Sequence, residues 1–461
     1  MVASLNAMRD PGRSLFWTRP PPASSELATE DPLAFDYISQ QIGLWLLPAL
    51  TTRSSRAQAF ALVLYGLHLA EIAAQRYGQP ATDAACRELF ERWERFWALA
   101  TVESRDGDIP RGDPDAMRGV RGALQAWRPG VGALALDFPL ISRQQELANL
   151  GAYLSPLRRA GLVIEGTLRP SAAGLDIVDA FWDETDNKQR GRYHDYALLA
   201  LDPRKGKIER TNGALTLAKV GRRSRLTVLT ARPRQAQQRR LYDALFGCAR
   251  DSHTLAVSRL VEAAARAGVT APRAIIAAAL AERLGAISDE LRDLLVTAHR
   301  FGDAMDASLR AFDRVYRALA DRGWTGGVDA VAAEAIDPPT LASLQRTSAG
   351  LVNAPAASRI RGLPMHGAAC MRLAEALIEA TSSTALHALL TTHHGVQRER
   401  RRGEGWLRAD GPRMTLLVSS YSARPEADRF PSFKLDTVRS LLIDTGRLPT
   451  GAPDAVFEGD E

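Results

Sequence analysis

Apolar side chains recur at helical spacing along most of the chain. Between residues 31 and 100, Phe60, Val63, Leu64, Leu67 and Ile72 form one stripe, and Leu89, Phe90, Trp93, Phe96 and Trp97 form a second. Steps of three and four place such residues on one face of a helix. Glu88/Arg92 and Glu91/Arg95 stand four apart on the opposite face, where ion pairs support a helix. Two amphipathic helices packed together are predicted. Residues 104–133 contain the run SRDGDIPRGDPDAMRGVRG, dense in Gly, Pro and Asp, which predicts a loop. A compact section follows over 138–184. Residues 185–250 are basic and mixed, with short β-like runs such as 226–230. Residues 252–349 are helical and alanine-rich, with Ser288 as the N-cap of a long helix running towards Arg322 and Gly323 as its stop. Two more helices are predicted over 364–400. Residues 406–408 and 414–419 flank Ala409-Asp410-Gly411-Pro412 as a hairpin. A last helix over 435–444 is stopped by Gly446.

This order of elements predicts a mainly α, multi-domain helical protein with an α+β segment near 139–184 and a small C-terminal α+β unit. A length of 461 residues exceeds one compact core. The predicted segments are a flexible leader over 1–30, containing Pro20-Pro21-Pro22, a helical domain over 31–135, a basic region over 136–250, a second helical domain over 251–400, and a hairpin and helix over 401–461.

Composition narrows the class. Hydrophobic residues make up 46% and charged residues 24%, the balance of a globular protein. Net charge is +6, from 59 basic and 53 acidic residues, and lysine occurs only at Lys188, Lys205, Lys207, Lys219 and Lys434. Arginine suits bidentate phosphate contact and stacking. A GC-rich genome also raises arginine content, but it does not place the clusters. Cys86, Cys248 and Cys370 form no CxxC pair, and neither a zinc ribbon nor a redox pair is expected. The opening MVASLNAMRDPGRS lacks the apolar run of a secretory signal, so a reducing, cytoplasmic setting is expected. The most apolar run, 59–74, contains His68 and Glu71 and is shorter than the ~20 residues of a membrane span, so no membrane partner is expected.

The most informative stretch is SRQQELANLGAYLSPLRRAGLVIEGTLRPSAAGLDIVDAFW, residues 142–182. Ser142 and Gln145 make a capping box, and a second short helix ends at Arg158-Arg159-Ala160-Gly161, with Gly161 suited to a left-handed cap. Leu162-Val163-Ile164 reads as a short strand, Glu165-Gly166-Thr167 as a turn and Leu168-Arg169 as the return. Ser171 then opens a helix with Leu175, Val178 and Phe181 on one face. This segment, about 139–184, resembles the end of a winged helix-turn-helix domain. The resemblance implies that the helix before the strands enters the DNA major groove and that the wing touches the backbone. Arg158 and Arg159 would end the recognition helix and Arg169 would lie on the wing. Pro156 inside that helix departs from the pattern. The runs LPALTTRSSRAQAFALVLYGL, 47–67, and YLSPLRRAGLV, 153–163, resemble uncharacterised bacterial proteins of defence or mobile-element gene clusters.

Further arginines cluster at Arg222, Arg223, Arg225, at Arg232, Arg234, Arg239, Arg240, and at Arg398, Arg400, Arg401, Arg402. Such runs neutralise phosphates, or form solvated faces. His366, His387, His393 and His394 fall close together, with Glu375, Glu379 and Glu399 as possible companions, but no HExxH anchors a metal. The bland reading is hydrogen-bonded histidines. Asp106, Asp108, Asp113 and Asp115 share one loop, where Pro110 replaces a cation ligand and turn formation is the better account. Tyr193-His194-Asp195-Tyr196 are adjacent and so do not face one another. Gly119-Val120-Arg121-Gly122 mimics a GXXG loop without its surrounding pattern. No GxSxG elbow, Walker A loop or dinucleotide fingerprint is present. No metal or cofactor is expected.

The expected function is DNA binding in a bacterial regulatory or antiphage-defence system, by binding or scaffolding, through Arg158, Arg159, Arg169, Arg222, Arg223, Arg225, Arg239 and Arg240. Protein partners are expected through the helical regions. Two alternatives remain: a structural subunit using the winged helix as a protein contact, and a divergent metal-dependent nuclease built around residues 366–394.

Overall fold

The computed structural model describes residues 31–80, 82–109, 118–142, 144, 148–182, 187–211, 213, 215–217, 235–247, 252–401, 405–418 and 421–449. Among these the chain forms 17 α-helices and five short strands, a mainly α fold with small antiparallel sheets, as the periodicity predicts. Among the described residues the chain gathers into two compact units: unit 1 holds those within 31–38 and 300–429, and unit 2 those within 39–299 and 430–449.

Helix α1 (Phe35–Leu46) leads into unit 2, whose centre is α2 (Ala57–Arg76) packed on α3 (Asp83–Ser104). The two predicted stripes meet here: Phe60, Tyr65, Phe90, Trp93, Phe96 and Trp97 are fully buried. Gly66 makes this packing possible, because a Cβ there would come within 2.4 Å of the Trp93 ring. Of the two predicted ion pairs, Glu91–Arg95 forms at 3.5 Å. Arg92 turns to the carbonyls of Ala200 and Lys205 instead, since two partly buried acceptors hold a guanidinium better than one solvated carboxylate. α2 is long and apolar enough to cross a membrane, and most of it is buried in this core.

The expected loop over 104–133 contains a helix, α4 (Val120–Ala126). Gly119 (φ 87°) starts it, and Gly122 lies so close to the Leu140 backbone that a Cβ would overlap it. Burial of Val120 and Ala123 outweighs the local turn composition. Strand β1 (Ala133–Ala135) follows, then α5 (Asn149–Arg159), α6 (Ala172–Ala180) and α7 (Asn187–Leu201). Strand β2 (Lys207–Glu209) pairs antiparallel with β1, Leu134 opposite Ile208. α8 (Gln235–Tyr242) runs on as a π-helical turn to Gly247, and α9 (Ser252–Arg266) and α10 (Pro272–Leu280) follow. The leader, residues 226–230, Gln145 of the capping box, Asp113, Asp115 and Cys248 lie outside the described residues.

The long helix α11 is Asp289–Asp321. Ser288 Oγ accepts from the Leu291 amide, and Gly323 (φ 70°) ends the helix. In unit 1 the part of α11 from Arg300 is followed by β3 (Thr325–Gly327), α12 (Val328–Ala335), α13 (Pro338–Val352), α14 (Ala357–Arg361), α15 (Gly367–Leu377) and α16 (Ser382–Arg401). The predicted hairpin is β4 (Leu407–Asp410) and β5 (Arg413–Leu416), turning at Gly411-Pro412, and β3 completes a three-stranded sheet in the order β3-β5-β4. The segment after β5 is pegged along one face of α11. Asp306 accepts from the Arg429 amide, Arg310 donates to the Pro425 carbonyl, and Arg317 donates to the Ala423 carbonyl. Asp313, fully buried, accepts from Tyr421 Oη, the Arg424 amide and Arg429 Nη2.

The last helix, α17 (Leu435–Asp444), belongs to unit 2 and ends at Gly446 (φ 74°). It packs on α9 and α2. Its Asp444 caps α2, since Oδ2 accepts from the Ala57 amide at 2.9 Å and Oδ1 lies 3.4 Å from Arg56 Nη2. The sequence before α2 offers Arg56 as N-cap, which has no side-chain acceptor, so a residue 387 positions away supplies it.

Candidate functional site

The predicted recognition helix is α5, and both its ends are held by identifiable bonds. Its N-cap, Ala148, has no capping side chain. Glu94 of α3 takes that part: Oε1 accepts from the Asn149 amide at 3.0 Å and from Asn149 Nδ2 at 2.9 Å, and Oε2 accepts from Gln144 Nε2 at 3.1 Å. Burial pushes the Glu94 carboxyl up to about 7 against the downward pull of these bonds. At the other end Gly161 adopts φ 72°, and the Leu162 amide bonds the Leu157 carbonyl, a Schellman closure. Pro156 leaves the Ala152 carbonyl without its helical donor, and Thr51 Oγ1 approaches that carbonyl at 3.5 Å. The helix therefore continues through the proline.

The residues after α5 form a minimal hairpin rather than a strand pair. Val163 and Pro170 make a single bridge, the Ile164 amide donates to the Arg169 carbonyl, and Ile164 to Thr167 closes the turn. Ser171 caps α6 by accepting from the Gly174 amide. The face of α6 differs from the prediction. Ile177, Val178 and Phe181 are buried, but Leu175 is exposed. Gly174 sets that rotation by lying against the Leu162 carbonyl, where a Cβ would come within 2.2 Å.

Each described arginine of the predicted set has a place. Arg158 Nη2 donates to the Thr167 carbonyl at 2.8 Å, tying helix to hairpin. Arg159 donates to the Pro48 carbonyl. Arg169 pairs with Glu71 of α2 at 3.4 Å. Arg240 donates to the Asp176 carbonyl at 2.8 Å, and Arg239 lies 4.0 Å from Asp243. Arg222, Arg223 and Arg225, with Arg232 and Arg234, lie outside the described residues.

Arg158 and Arg159 share an open pocket of about 370 Å³ with Arg87 of α3. Leu150, Gly151, Leu154 and Ser155 supply the α5 wall, and Glu165 of the hairpin is its one carboxylate. Arg87 carries no ion pair or hydrogen bond to another side chain among the described residues. Sequence reasoning missed it because its nearness to α5 follows from the Glu94–Asn149 contact between helices, not from any local pattern. Behind Arg159 lies Lys434, buried, with Nζ donating to the Leu47 and Leu50 carbonyls at 3.2 and 2.6 Å. Burial and the adjacent Arg159 charge push its amine down to about 7. Arg118 nearby is likewise pushed down, by burial first and by the charge of Arg53. Arg158, Arg159 and Lys434 thus have carbonyl oxygens, not carboxylates, as their hydrogen-bond partners. A guanidinium bonded to a neutral carbonyl is left without a neutralising counter-charge and attracts anions, whereas Lys434, with its amine pushed down to about 7, adds little fixed charge.

The histidines of unit 1 do separate jobs. His393, fully buried, bonds the Pro32 carbonyl through Nδ1 and accepts from the Trp406 amide at Nε2, both at 2.9 Å. His394 Nε2 bonds the Leu407 carbonyl, His366 Nδ1 lies 3.1 Å from Glu399, and His387 is exposed. Among the described residues no three His, Cys, Asp or Glu side chains converge as a metal-ligand set. In α7, Asp195 pairs with Arg76 and Tyr196 bonds Thr216, so these neighbours act separately. No family model matches the chain, and no curated protein or solved structure does.

Proposed function

We propose that the chain is a nucleic-acid-binding protein whose α5 pocket clamps the phosphate backbone of duplex DNA. The observation that carries this reading is the pocket's charge: Arg87, Arg158 and Arg159 line it with a single carboxylate, the exposed Glu165. Arginine forks match phosphate oxygens, and the hydroxyl of Ser155 adds a donor. The exposed α5 positions Gly151 and Ser155 reach little beyond the helix surface. The interaction therefore supplies positioning and salt-dependent affinity more than base readout. Action by binding, with protein partners, in a cytoplasmic bacterial regulatory or antiphage-defence system, is the setting implied by the sequence resemblances.

Arg87→Ala tests the reading, because Arg87 makes no internal bond whose removal would complicate it. In a salt series on labelled duplex, the plot of log K against log salt should flatten by about 0.9 for each phosphate that is no longer neutralised. Arg158→Ala with Arg159→Ala should flatten it further. An unchanged slope in both variants would remove the pocket from DNA binding.

A second reading, a protein contact, is favoured by Ile164 on the hairpin and Leu175 on α6, which are 48% and 37% exposed. Loss of a co-purifying protein on Ile164→Ser, with DNA affinity unchanged, would select it.

A further inference from the structure

The α5 pocket has a size, a lining and a charge that suit one terminal nucleotide better than a run of duplex backbone. Its volume of about 370 Å³ lies in the range of small-ligand sites, roughly 300–1,000 Å³. Such a space holds one nucleotide and not a length of duplex, whose major groove alone is about 12 Å wide. The lining is two-sided. Arg87, Arg158 and Arg159 supply charge, while Leu150 and Leu154 of α5 supply an apolar wall. Inside a duplex a nucleotide is stacked between its neighbours, and drawing it out costs free energy, least where it is already unpaired. At an end the last nucleotide has one neighbour only. Its sugar and base can therefore reach an apolar wall beside the cations that hold its phosphate.

Charge makes the same distinction. An arginine stays protonated at any ordinary pH. Three arginines less one carboxylate, Glu165, leave the lining with a net charge of +2. A diester link of the backbone carries one negative charge, whereas a terminal phosphomonoester carries about −1.5 to −2 at pH 7. Glu165 is repelled by every nearby phosphate of a continuous run and by only one at an end. Donors are available as well, since each guanidinium has five N–H groups. Arg158 and Arg159 each donate to one carbonyl, and Arg87 donates to none among the described residues. Asp83, four residues before Arg87 on α3, accepts from the Leu168 amide instead of pairing with that arginine.

We propose that the α5 pocket receives the terminal nucleotide of a phosphorylated DNA end, with its phosphomonoester on Arg87, Arg158 and Arg159 and its sugar against Leu150 and Leu154. This inference rests on the reading of the pocket as a DNA phosphate site and narrows it from backbone to end.

The test uses the full chain and a hairpin oligonucleotide of about 20 base pairs, two helical turns, with one open end. The end carries a 5′-phosphate, a 3′-phosphate or hydroxyls alone, and a duplex of the same sequence looped at both ends has no terminus. One phosphorylated end should bind at least about tenfold more tightly than the hydroxyl end or the closed duplex, the worth of one charge-assisted hydrogen bond. Whether the 5′ or the 3′ form does so tells which strand terminus is held. Arg87→Ala, whose thermal midpoint should match the parent's, should remove most of that advantage. Equal binding of all four ligands by the parent overturns the inference. If Arg87→Ala then still flattens the salt slope, the backbone reading stands without it; if the slope is unchanged, both fall. Absence of duplex binding by the parent also overturns both. A preference for the phosphorylated end that persists unchanged in Arg87→Ala places the end elsewhere and overturns the pocket's part in it. Deoxyadenosine monophosphate that competes as well as the phosphorylated end overturns a DNA end as the ligand and makes it a free nucleotide.

Discussion

His393 makes the stability of unit 1 depend on pH in a calculable way. Its Nε2 accepts the Trp406 amide proton, so that nitrogen carries no hydrogen, and Nδ1–H donates to the Pro32 carbonyl. Gly405 permits this approach, since a Cβ there would come within 2.9 Å of the His393 ring. The rings of Phe312 and Trp406 pack around it, 4.9 and 5.0 Å away between centroids. Protonation would remove the acceptor and place a charge among aromatic rings. Burial, helped by the neighbouring His394 charge, accordingly pushes the imidazole down from 6.5 to about 4, against the raising effect of the Pro32 carbonyl. The unfolded chain binds the proton more readily. The stabilisation is therefore complete above about pH 6.5 and is lost as pH falls towards 4. A difference of about 2.5 pH units at 1.36 kcal/mol each is worth about 3 kcal/mol as an upper figure. His393→Gln keeps a donor and an acceptor without a titrating proton. Urea denaturation of parent and variant between pH 7.5 and 4, with amide exchange at Trp406 as the local readout, measures the effect. The stability gap between the two should shrink by up to about 3 kcal/mol on acidification, while other titrations cancel in the difference. A gap that stays constant with pH would refute the argument.

Two further perturbations test the packing of unit 2. Asp444→Ala leaves the Ala57 amide without its acceptor and Arg56 without its carboxylate, and should cost about 2 kcal/mol in urea denaturation. Asp444→Asn, which keeps an acceptor, should cost less, and equal losses would argue against capping. Gly66→Ala drives a methyl into the Trp93 ring and should lower stability by about 1–3 kcal/mol, read as a fall in the thermal midpoint. A neutral or stabilising result would mean that α2 and α3 are not held as closely as the structure places them.

The elements of this chain were legible wherever their causes lie within a few residues. Ser288 and Ser171 cap the helices they precede, Gly161, Gly323 and Gly446 stop theirs, and the hairpin turns at Gly411-Pro412, all as local chemistry requires. The aromatic stripes of α2 and α3 are equally local, because helical periodicity alone puts those side chains on one face. The arginines Arg158 and Arg159 at the end of α5 were visible for the same reason.

What distant segments do to one another was not legible. Arg87 joins the α5 pocket because Glu94, on its own helix, caps α5 across 55 positions. Spacing pairs Arg92 with Glu88, yet the carbonyls of Ala200 and Lys205 reach it first. Leu175 belongs inside by its spacing from Val178 and Phe181, and the approach of Gly174 to Leu162 turns it outward. The histidines that cluster in sequence divide among separate partners, because α16 points His387 outward and His393 into the core. A cap, a stop or a stripe depends on bonds within about one helical turn, and the amino-acid order specifies those directly. Which charges share a surface depends on how whole helices pack, and only the tertiary structure decides that.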